Sequence, residues 1–176
     1  MSFIVNVGKF TGIPRGRNTG DFAAMEAADA YFIEPLVSGL RVHIHKDGPI
    51  IRILDWKYRD SNKVSGAREI AMDFWEMATP RQAVFDGVIS NGRFKCMDVL
   101  LYEDEDLTDK PLADRKEYLG KCEFGNSIDV VPHRIINTLS ELKCEACIVK
   151  PANSTYTPDS NQVIDWVVWK SAPEGD

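Results

Sequence analysis

The alternation of apolar and polar residues predicts short β-strands in the first third of the chain. Side chains of the two kinds alternate along Leu40–His45, and the mainly apolar Ile50–Leu54 is predicted as the next strand. The intervening Lys46–Gly48 is typical of a hairpin turn, and Tyr31–Leu36 precedes it as another strand. We therefore expect a β-hairpin with a further strand directly before it.

Apolar residues one helical turn apart predict the helices. Ser65–Ala78 is the clearest, because Ile70, Phe74 and Met77 share one face and Pro80 ends the pattern. The other elements predicted from the pattern are a helix from Asp21 to Ala30, a short helix over Arg134–Leu142, and strands over Phe3–Val7 and Asn126–Val131.

Length and composition indicate one globular domain behind a short leading segment. The chain has 176 residues, of which 44% are apolar and 27% charged, as in an ordinary globular protein. Residues 11–20 contain three glycines and a proline, which favours a flexible loop. We expect residues 1–20 to form a strand and this loop, and residues 21–176 to form a single domain.

The net charge indicates which partners to expect, and the N-terminal sequence indicates where the protein is located. A net charge of −6 argues against a large nucleic-acid footprint and favours a protein partner. No apolar run approaches the roughly 20 residues that span a bilayer, and the N-terminus does not resemble a signal peptide. We expect a protein of the cytoplasm, or of the nucleus in a eukaryote, that is not secreted and has no membrane partner.

The four cysteines are expected to be free thiols. Cys144 and Cys147 are the one close pair, and a chain without a secretory signal favours reduced cysteines. A zinc site that combines this pair with Cys96 and Cys122 is an alternative, which a single Cys-x-x-Cys supports weakly. We predict no metal site.

The hairpin and the strand before it resemble the active-site strand–loop–strand of ATP-dependent DNA ligases and their nucleotidyltransferase relatives. The family pattern is Glu-x-Lys-x-Asp-Gly-x-Arg. Glu34, Gly39 and Arg41 match it. Leu36 stands at the position of the nucleophilic lysine, and Ser38 at the position of the aspartate. The frame of the motif is present without its nucleophile.

Two following segments resemble further ligase strands. Asp86 and Gly87 match a strand that ends Leu-Asp-Gly-Glu-Ile, but Val88 replaces the glutamate that assists metal and nucleotide binding in the family. Phe94–Leu100 is similar to Phe-x-x-Phe-Asp-Leu-Leu, and Met97 stands where the family's second aromatic residue stacks on adenine. Each segment keeps its scaffold and changes a functional position.

The last two motifs lie near the C-terminal end. Glu145 and Lys150 match the ends of Glu-Gly-Val-Val-x-Lys, whose glutamate binds the catalytic metal in the family. Trp166 and Lys170 match Trp-x-Lys-x-Lys, but Val168 replaces the lysine that contacts the α-phosphate. Since only six residues follow Lys170, we expect no OB-fold domain of the kind that ligases have.

Scaffold and surface positions complete the resemblance. Tyr102–Leu119 looks like Asp-Leu-Thr-x-x-Pro-Leu-x-x-Arg-x-x-x-Leu, a loop that feeds a helix and has no chemical role in the family. Lys57 or Arg59 could stand for a basic residue that holds substrate there. Together with Arg15 and Arg17, these residues are our candidates for contacts to phosphate or to DNA ends.

The resemblance implies an α+β fold with two packed, mainly antiparallel sheets and flanking helices. This is the nucleotidyltransferase fold of DNA ligases and mRNA capping enzymes, which is ATP-grasp-like. Leu36, Val88 and Val168 are aliphatic where the family has its nucleophile, a metal-binding carboxylate and a phosphate-binding cation. We therefore expect a pocket filled by apolar packing, with no catalytic residue.

The function that this resemblance implies is a catalytically inactive adenylation domain, or pseudo-ligase. It would act as a binding or regulatory module in DNA metabolism, without a cofactor. One alternative is a minimal ATP-dependent ligase with a displaced nucleophile, which would need ATP, AMP and Mg²⁺. The other is a nucleotide-binding module without chemistry. The candidate remnants of a nucleotide site are Glu34, Gly39, Arg41, Met97, Glu145, Lys150 and Lys170.

Overall fold

Two β-sheets and two helices form the described part of the chain, which in the computed structural model comprises residues 17–18, 28–55, 57–156 and 166–170. The first sheet has five strands, in the spatial order β1 (Arg17–Asn18), β11 (Val167–Lys170), β10 (Ala146–Pro151), β2 (Tyr31–Pro35) and β9 (Arg134–Ile136). Neighbouring strands in this sheet are antiparallel, except for β1 and β11, which are parallel.

The second sheet carries the predicted hairpin. Its spatial order is β4 (Ile50–Asp55), β3 (Leu40–Asp47), β5 (Gln82–Ser90), β6 (Arg93–Tyr102) and β7 (Glu105–Asp106). These pairs are antiparallel, and β8 (Ile128–Val130) adds to β6 in parallel. The expected α+β architecture with two mainly antiparallel sheets is confirmed.

The largest core lies between the second sheet and helix α1 (Ala67–Glu76). Phe74 on α1 packs against Phe85 and Phe94 of the sheet, with ring centroids 5.1 and 5.8 Å away. Ile70 joins them, and all four side chains are fully buried. Burial of one such side chain stabilises the fold by roughly 1.5–3 kcal/mol. The predicted helix is therefore present, with its predicted apolar face inward.

Helix α2 (Leu112–Gly120) follows the loop that the ligase resemblance indicated. Arg115 is fully buried on it and pairs with Asp98 of β6, with an Nη2–Oδ2 distance of 2.9 Å. The Arg115 guanidinium also donates to the carbonyls of Lys110 and Ser154. These bonds fix the start of α2 against β6 and so position the next residue, Lys116.

The helix predicted for Arg134–Leu142 is wrong. The segment forms strand β9 and a short 3₁₀ helix, Leu139–Glu141. Ile135 is 55% exposed and Ile136 is 2% exposed, an alternation that fits a strand and lets Ile136 pack beside Tyr31. The residues predicted as one helix therefore belong to two different elements.

Other element predictions have mixed outcomes. The strand predicted over Asn126–Val131 is present as the shorter β8. The strand predicted over Phe3–Val7 lies outside the described residues. So does most of the helix predicted from Asp21, and residues 28–30 are not helical. No helix in the described part of the chain is long and apolar enough to cross a membrane.

Two cysteines form a disulfide, which corrects the free-thiol expectation for this pair. Cys144 and Cys147 are bonded, with Cα atoms 6.3 Å apart, a separation typical of disulfides. Cys96 and Cys122 are free. The turn that leads into β10 brings the first pair together, and the bond leaves neither sulfur available for the alternative zinc site.

Candidate functional site

The ligase-like motifs meet at a buried ion cluster centred on Glu34 of β2. Lys116 of α2 donates to Oε1 at 2.5 Å, and Lys150 of β10 donates to Oε2 at 2.6 Å. Lys116 also donates to the main-chain carbonyl of Met97 at 2.6 Å. The carboxylate and both ammonium groups are almost completely buried. Each oxygen of Glu34 is therefore already bonded to a cation of the chain itself.

Electrostatics keeps this glutamate ionised. Burial by itself would raise its pKa, but the two ammonium groups outweigh burial and lower the pKa of Glu34 to about 2. Burial also lowers the pKa of Lys150, and Glu34 opposes that effect. The face of the Trp166 ring lies 4.2 Å from Lys150 Nζ, which is a favourable cation–π contact.

A second ion pair joins the half-buried Arg41 to the buried Asp86. Arg41 donates through Nε and Nη2 to the two carboxylate oxygens, at 2.7 and 2.5 Å. Tyr156 donates to Asp86 at 3.1 Å, and its hydroxyl is 2.9 Å from His43 Nε2. Burial raises the pKa of Asp86, but Arg41 overcomes this and lowers it. The fork of Arg41 is thus occupied by the protein's own carboxylate.

Burial decides the charge of His43, the histidine in this network. It lowers the pKa of His43 to about 4, although Asp86 opposes the change. The imidazole is therefore neutral near pH 7, and its contact with Tyr156 is a hydrogen bond between neutral groups.

An apolar cluster lies beside these ion pairs. Val88, Met97 and Val131 are buried together, and Val37 packs against them. Met97 stands at an irregularity in the pairing of β5 with β6, where Asp86 faces Asp98 and the next pair is Gly87 with Cys96. The extra residue places the Met97 carbonyl next to Lys116 while its side chain packs on Val88.

The three aliphatic replacements do not all join this cluster. Val88 belongs to it, whereas Leu36 is half-buried just beyond β2 and Val168 is half-buried in β11, opposite Ile148. The expectation that all three would fill one pocket therefore fits Val88 alone.

Gly39 has a structural reason for being glycine. Its φ is +149°, and a Cβ there would collide with the Ile89 carbonyl and with Val88. The β2–β3 loop approaches β5 so closely that residue 39 cannot carry a side chain. Ser38, the neighbouring candidate, is exposed.

The remaining candidates lie at strand ends, away from the cluster. Glu145 is exposed immediately before β10, and Lys170 is exposed at the end of β11, opposite Ala146. Glu145 is three residues from Ile148, the partner of Glu34, or about 10 Å along an extended strand. The structure does not bring Glu145 into the buried ion cluster.

The predicted basic patch is only partly described. Arg59 pairs with Asp55, at 2.7 Å from Nη2 to Oδ2, while Asp55 also accepts from the main chain of Lys57. Arg15 lies outside the described residues, and Arg17 is described by its strand backbone alone. The structure therefore does not test whether these cations share a face.

Sequence reasoning missed two central residues, Lys116 and Tyr156. Lys116 contacts Glu34 across 82 residues, and Tyr156 contacts His43 across 113. The local sequence pattern contains no signal for contacts between residues so far apart in the chain. The one usable hint was that Lys116 follows Arg115 in the scaffold phrase of the ligase resemblance.

Comparison with known proteins agrees with this architecture. No protein-family model matches the chain, and no curated protein sequence matches it. Among solved structures, the ligase domain of M. tuberculosis LigD is similar, with a TM-score of 0.68, 20% identity, and coverage of 93% of this chain and 60% of that one. A mycobacterial DNA ligase D complexed with ATP and MES matches at 0.66 and 18% identity, with coverage of 92% and 60%.

A smaller ligase is also similar. A structure of Lig E DNA ligases, described as DNA binding with a minimal scaffold, has a TM-score of 0.55 and 14% identity, with coverage of 90% of this chain and 70% of that one. The chain spans about 60% of the length of the ligase D structures. At these identities the likeness concerns the fold. The described chain thus has the nucleotidyltransferase fold of ATP-dependent DNA ligase domains, as the sequence resemblance predicted.

Proposed function

We propose that the protein is a catalytically inactive, ligase-like adenylation domain that serves as a binding or regulatory module in DNA metabolism. The observation that carries this proposal is the saturation of Glu34 by Lys116 and Lys150. Formation of a lysyl–AMP bond needs a free amine that reaches the α-phosphate of ATP. Leu36 supplies no amine, and the two nearby lysines are buried as ion-pair donors.

The surroundings of Glu34 support the same proposal. Met97, the position that stacks on adenine in ligases by resemblance, packs on Val88 and accepts a hydrogen bond from Lys116. Arg41 is committed to Asp86. Ligand groups would have to displace these internal partners, and breaking a buried ion pair costs about 3–5 kcal/mol. The module would therefore need no cofactor.

A protein is the favoured partner. The net charge is −6, and several described cations are already paired with carboxylates: Arg41 with Asp86, Arg59 with Asp55, and both Arg93 and Lys95 with Asp129. Such pairing reduces the positive field that nucleic-acid backbones require. Contact with DNA ends is the alternative, since the similar Lig E structure is described as DNA-binding. Such a module would act in the cytoplasm, or in the nucleus of a eukaryote.

A minimal ligase with a displaced nucleophile is the second candidate. Its supporting observation is that the fold brings Lys116 and Lys150 next to Glu34, two residues before the usual lysine position. Either lysine would have to leave Glu34 and lose its proton. A non-catalytic nucleotide-binding module is the third candidate, but Glu34, Arg41 and Lys150 would all have to exchange partners.

Incubation with α-labelled ATP and Mg²⁺, followed by denaturing electrophoresis, separates these candidates. A parallel calorimetric titration with ATP reports binding, and an active ligase domain in the same assay is the positive control. The proposal predicts no labelled band and no heat of binding. A band that disappears in Lys116→Ala or Lys150→Ala would establish the displaced nucleophile. Binding without a band would favour the nucleotide-binding module.

A further inference from the structure

Among the described strands, β9 lies at one end of the first sheet. It pairs with β2 through Tyr31–Ile136, Phe32–Ile135 and Ile33–Arg134, and no other described strand pairs with it. In an antiparallel strand, main-chain N–H and C=O groups point alternately toward both neighbours. Part of the hydrogen-bonding capacity of β9 therefore faces away from β2. Such an edge can accept a further strand.

A groove of about 450 Å³ lies beside β9. Its walls are Arg134, Ile135 and Ile136 of β9 and Ser140, Glu141 and Lys143 of the following turn. Side chains of consecutive strand residues point to opposite faces of the sheet, yet all three residues of β9 line the groove. The groove is therefore lined by the whole of β9 and not by one face of it alone.

The side chains of the groove combine an apolar contact with positive charge. Ile135 is a large apolar residue that is 55% exposed. Arg134 and Lys143 contribute cations, and the Arg134 guanidinium donates to the Lys143 carbonyl at 3.3 Å. Glu141 is the acidic member, but its Oε1 accepts from the main chain of Asn137 and Thr138, which turns it toward the 3₁₀ cap.

We propose that this groove binds an extended peptide segment of a partner protein as an added β-strand, with an acidic side chain placed between Arg134 and Lys143. Main-chain bonds to β9 would supply affinity, and the two cations together with Ile135 would supply selectivity. A peptide fits better than nucleic acid because the exposed strand edge offers alternating donors and acceptors, which a phosphate backbone cannot match. The inference rests on the proposed function, in that it names the partner surface of the binding module.

Selection from a phage-displayed library of random dodecapeptides tests this directly on the full chain. We expect enriched peptides to alternate β-branched and acidic residues. Their affinity should fall at least tenfold in the double variant Arg134→Glu with Lys143→Glu. The matched control is Lys63→Glu with Arg68→Glu, which makes the same charge change at two exposed residues, one in the turn before α1 and one on α1, and should retain affinity.

Amide NMR spectra locate the bound peptide. Selected peptides should shift the amide resonances of residues 134–136 and 140–143 and slow hydrogen exchange in β9. Failure of any peptide to enrich, equal binding by the double variant, or shifts confined to other residues would each overturn the proposal. Shifts at β9 caused by duplex DNA but by no peptide would also overturn it. The adenylation assay reads the Glu34 site, so a labelled lysine would refute the proposed function while leaving this result unchanged.

Discussion

Replacing Lys116 with methionine tests the buried ion cluster most sharply. The change keeps the length of the side chain but leaves Glu34 with Lys150 as its one remaining cation. Removal of one member of a buried pair costs about 3–5 kcal/mol when the partner is left uncompensated. Because Lys150 still compensates, we expect a loss of about 2–3 kcal/mol in the free energy of unfolding, somewhat below that range.

The pH dependence gives an independent magnitude for the same cluster. The pKa of Glu34 is about 2 in the folded chain, against an ordinary value of 4.5. A carboxyl with a lowered folded pKa stabilises the fold above its unfolded pKa and loses that contribution as the pH falls. At roughly 1.4 kcal/mol per pKa unit, Glu34 contributes about 3 kcal/mol, which should disappear between about pH 4.5 and 2.

Urea unfolding followed by circular dichroism at several pH values measures both effects. Lys63→Met, at an exposed site, is the control and should change stability by no more than about 0.5 kcal/mol. In Lys116→Met, the loss of stability between pH 4.5 and 2 should also be smaller than in the wild type. Equal stability of Lys116→Met and the wild type at pH 7 would refute the reasoning, because only the replacement of a solvent-exposed lysine should leave stability unchanged.

Three further outcomes follow from the packing. Val88→Glu restores the ligase residue at that position, but we expect no adenylation in the ATP-labelling assay. Because the carboxylate would enter an apolar cluster, urea unfolding should show a loss of at least about 2 kcal/mol in stability. Phe74→Ala should cost about 3–5 kcal/mol, while the exposed Trp75→Ala on the same helix should be nearly neutral in the same unfolding assay. Alkylation of denatured protein without reductant should spare Cys144 and Cys147 in a mass spectrum, and prior reduction should make both reactive; their alkylation without reductant would contradict the disulfide.

Local signals in the sequence were sufficient for the elements that form locally. The hairpin of β3 and β4 and helix α1 follow from alternation and from the shared face of Ile70 and Phe74. In the segment predicted as a helix over Arg134–Leu142, Thr138 and Glu141 form a capping box, but the helix that they cap is only a 3₁₀ turn after strand β9.

The site depended on contacts that the sequence does not show. Glu34 was identified by the ligase resemblance, but its partners lie 82 and 116 residues away. Whether Lys150 points to a ligand or to Glu34 depends on the register of β10 with β2, which pairs Ile148 with Glu34. The same register sets Glu145 apart from the cluster. Motif matching identified Glu34 and Lys150, but it missed Lys116, and the packing of the elements decides which groups these residues contact.

If the domain is inactive, no lysine of this chain becomes adenylated. The most direct test is to incubate the protein with ATP and Mg²⁺ and then examine every lysine-containing peptide by mass spectrometry for the mass of an added AMP, with an active ligase domain processed in parallel. For an inactive domain, we expect no AMP on any lysine, while the control ligase carries AMP on its nucleophilic lysine. AMP on Lys116, on Lys150 or on any other lysine would contradict the proposed inactivity and identify the chain as an active nucleotidyltransferase.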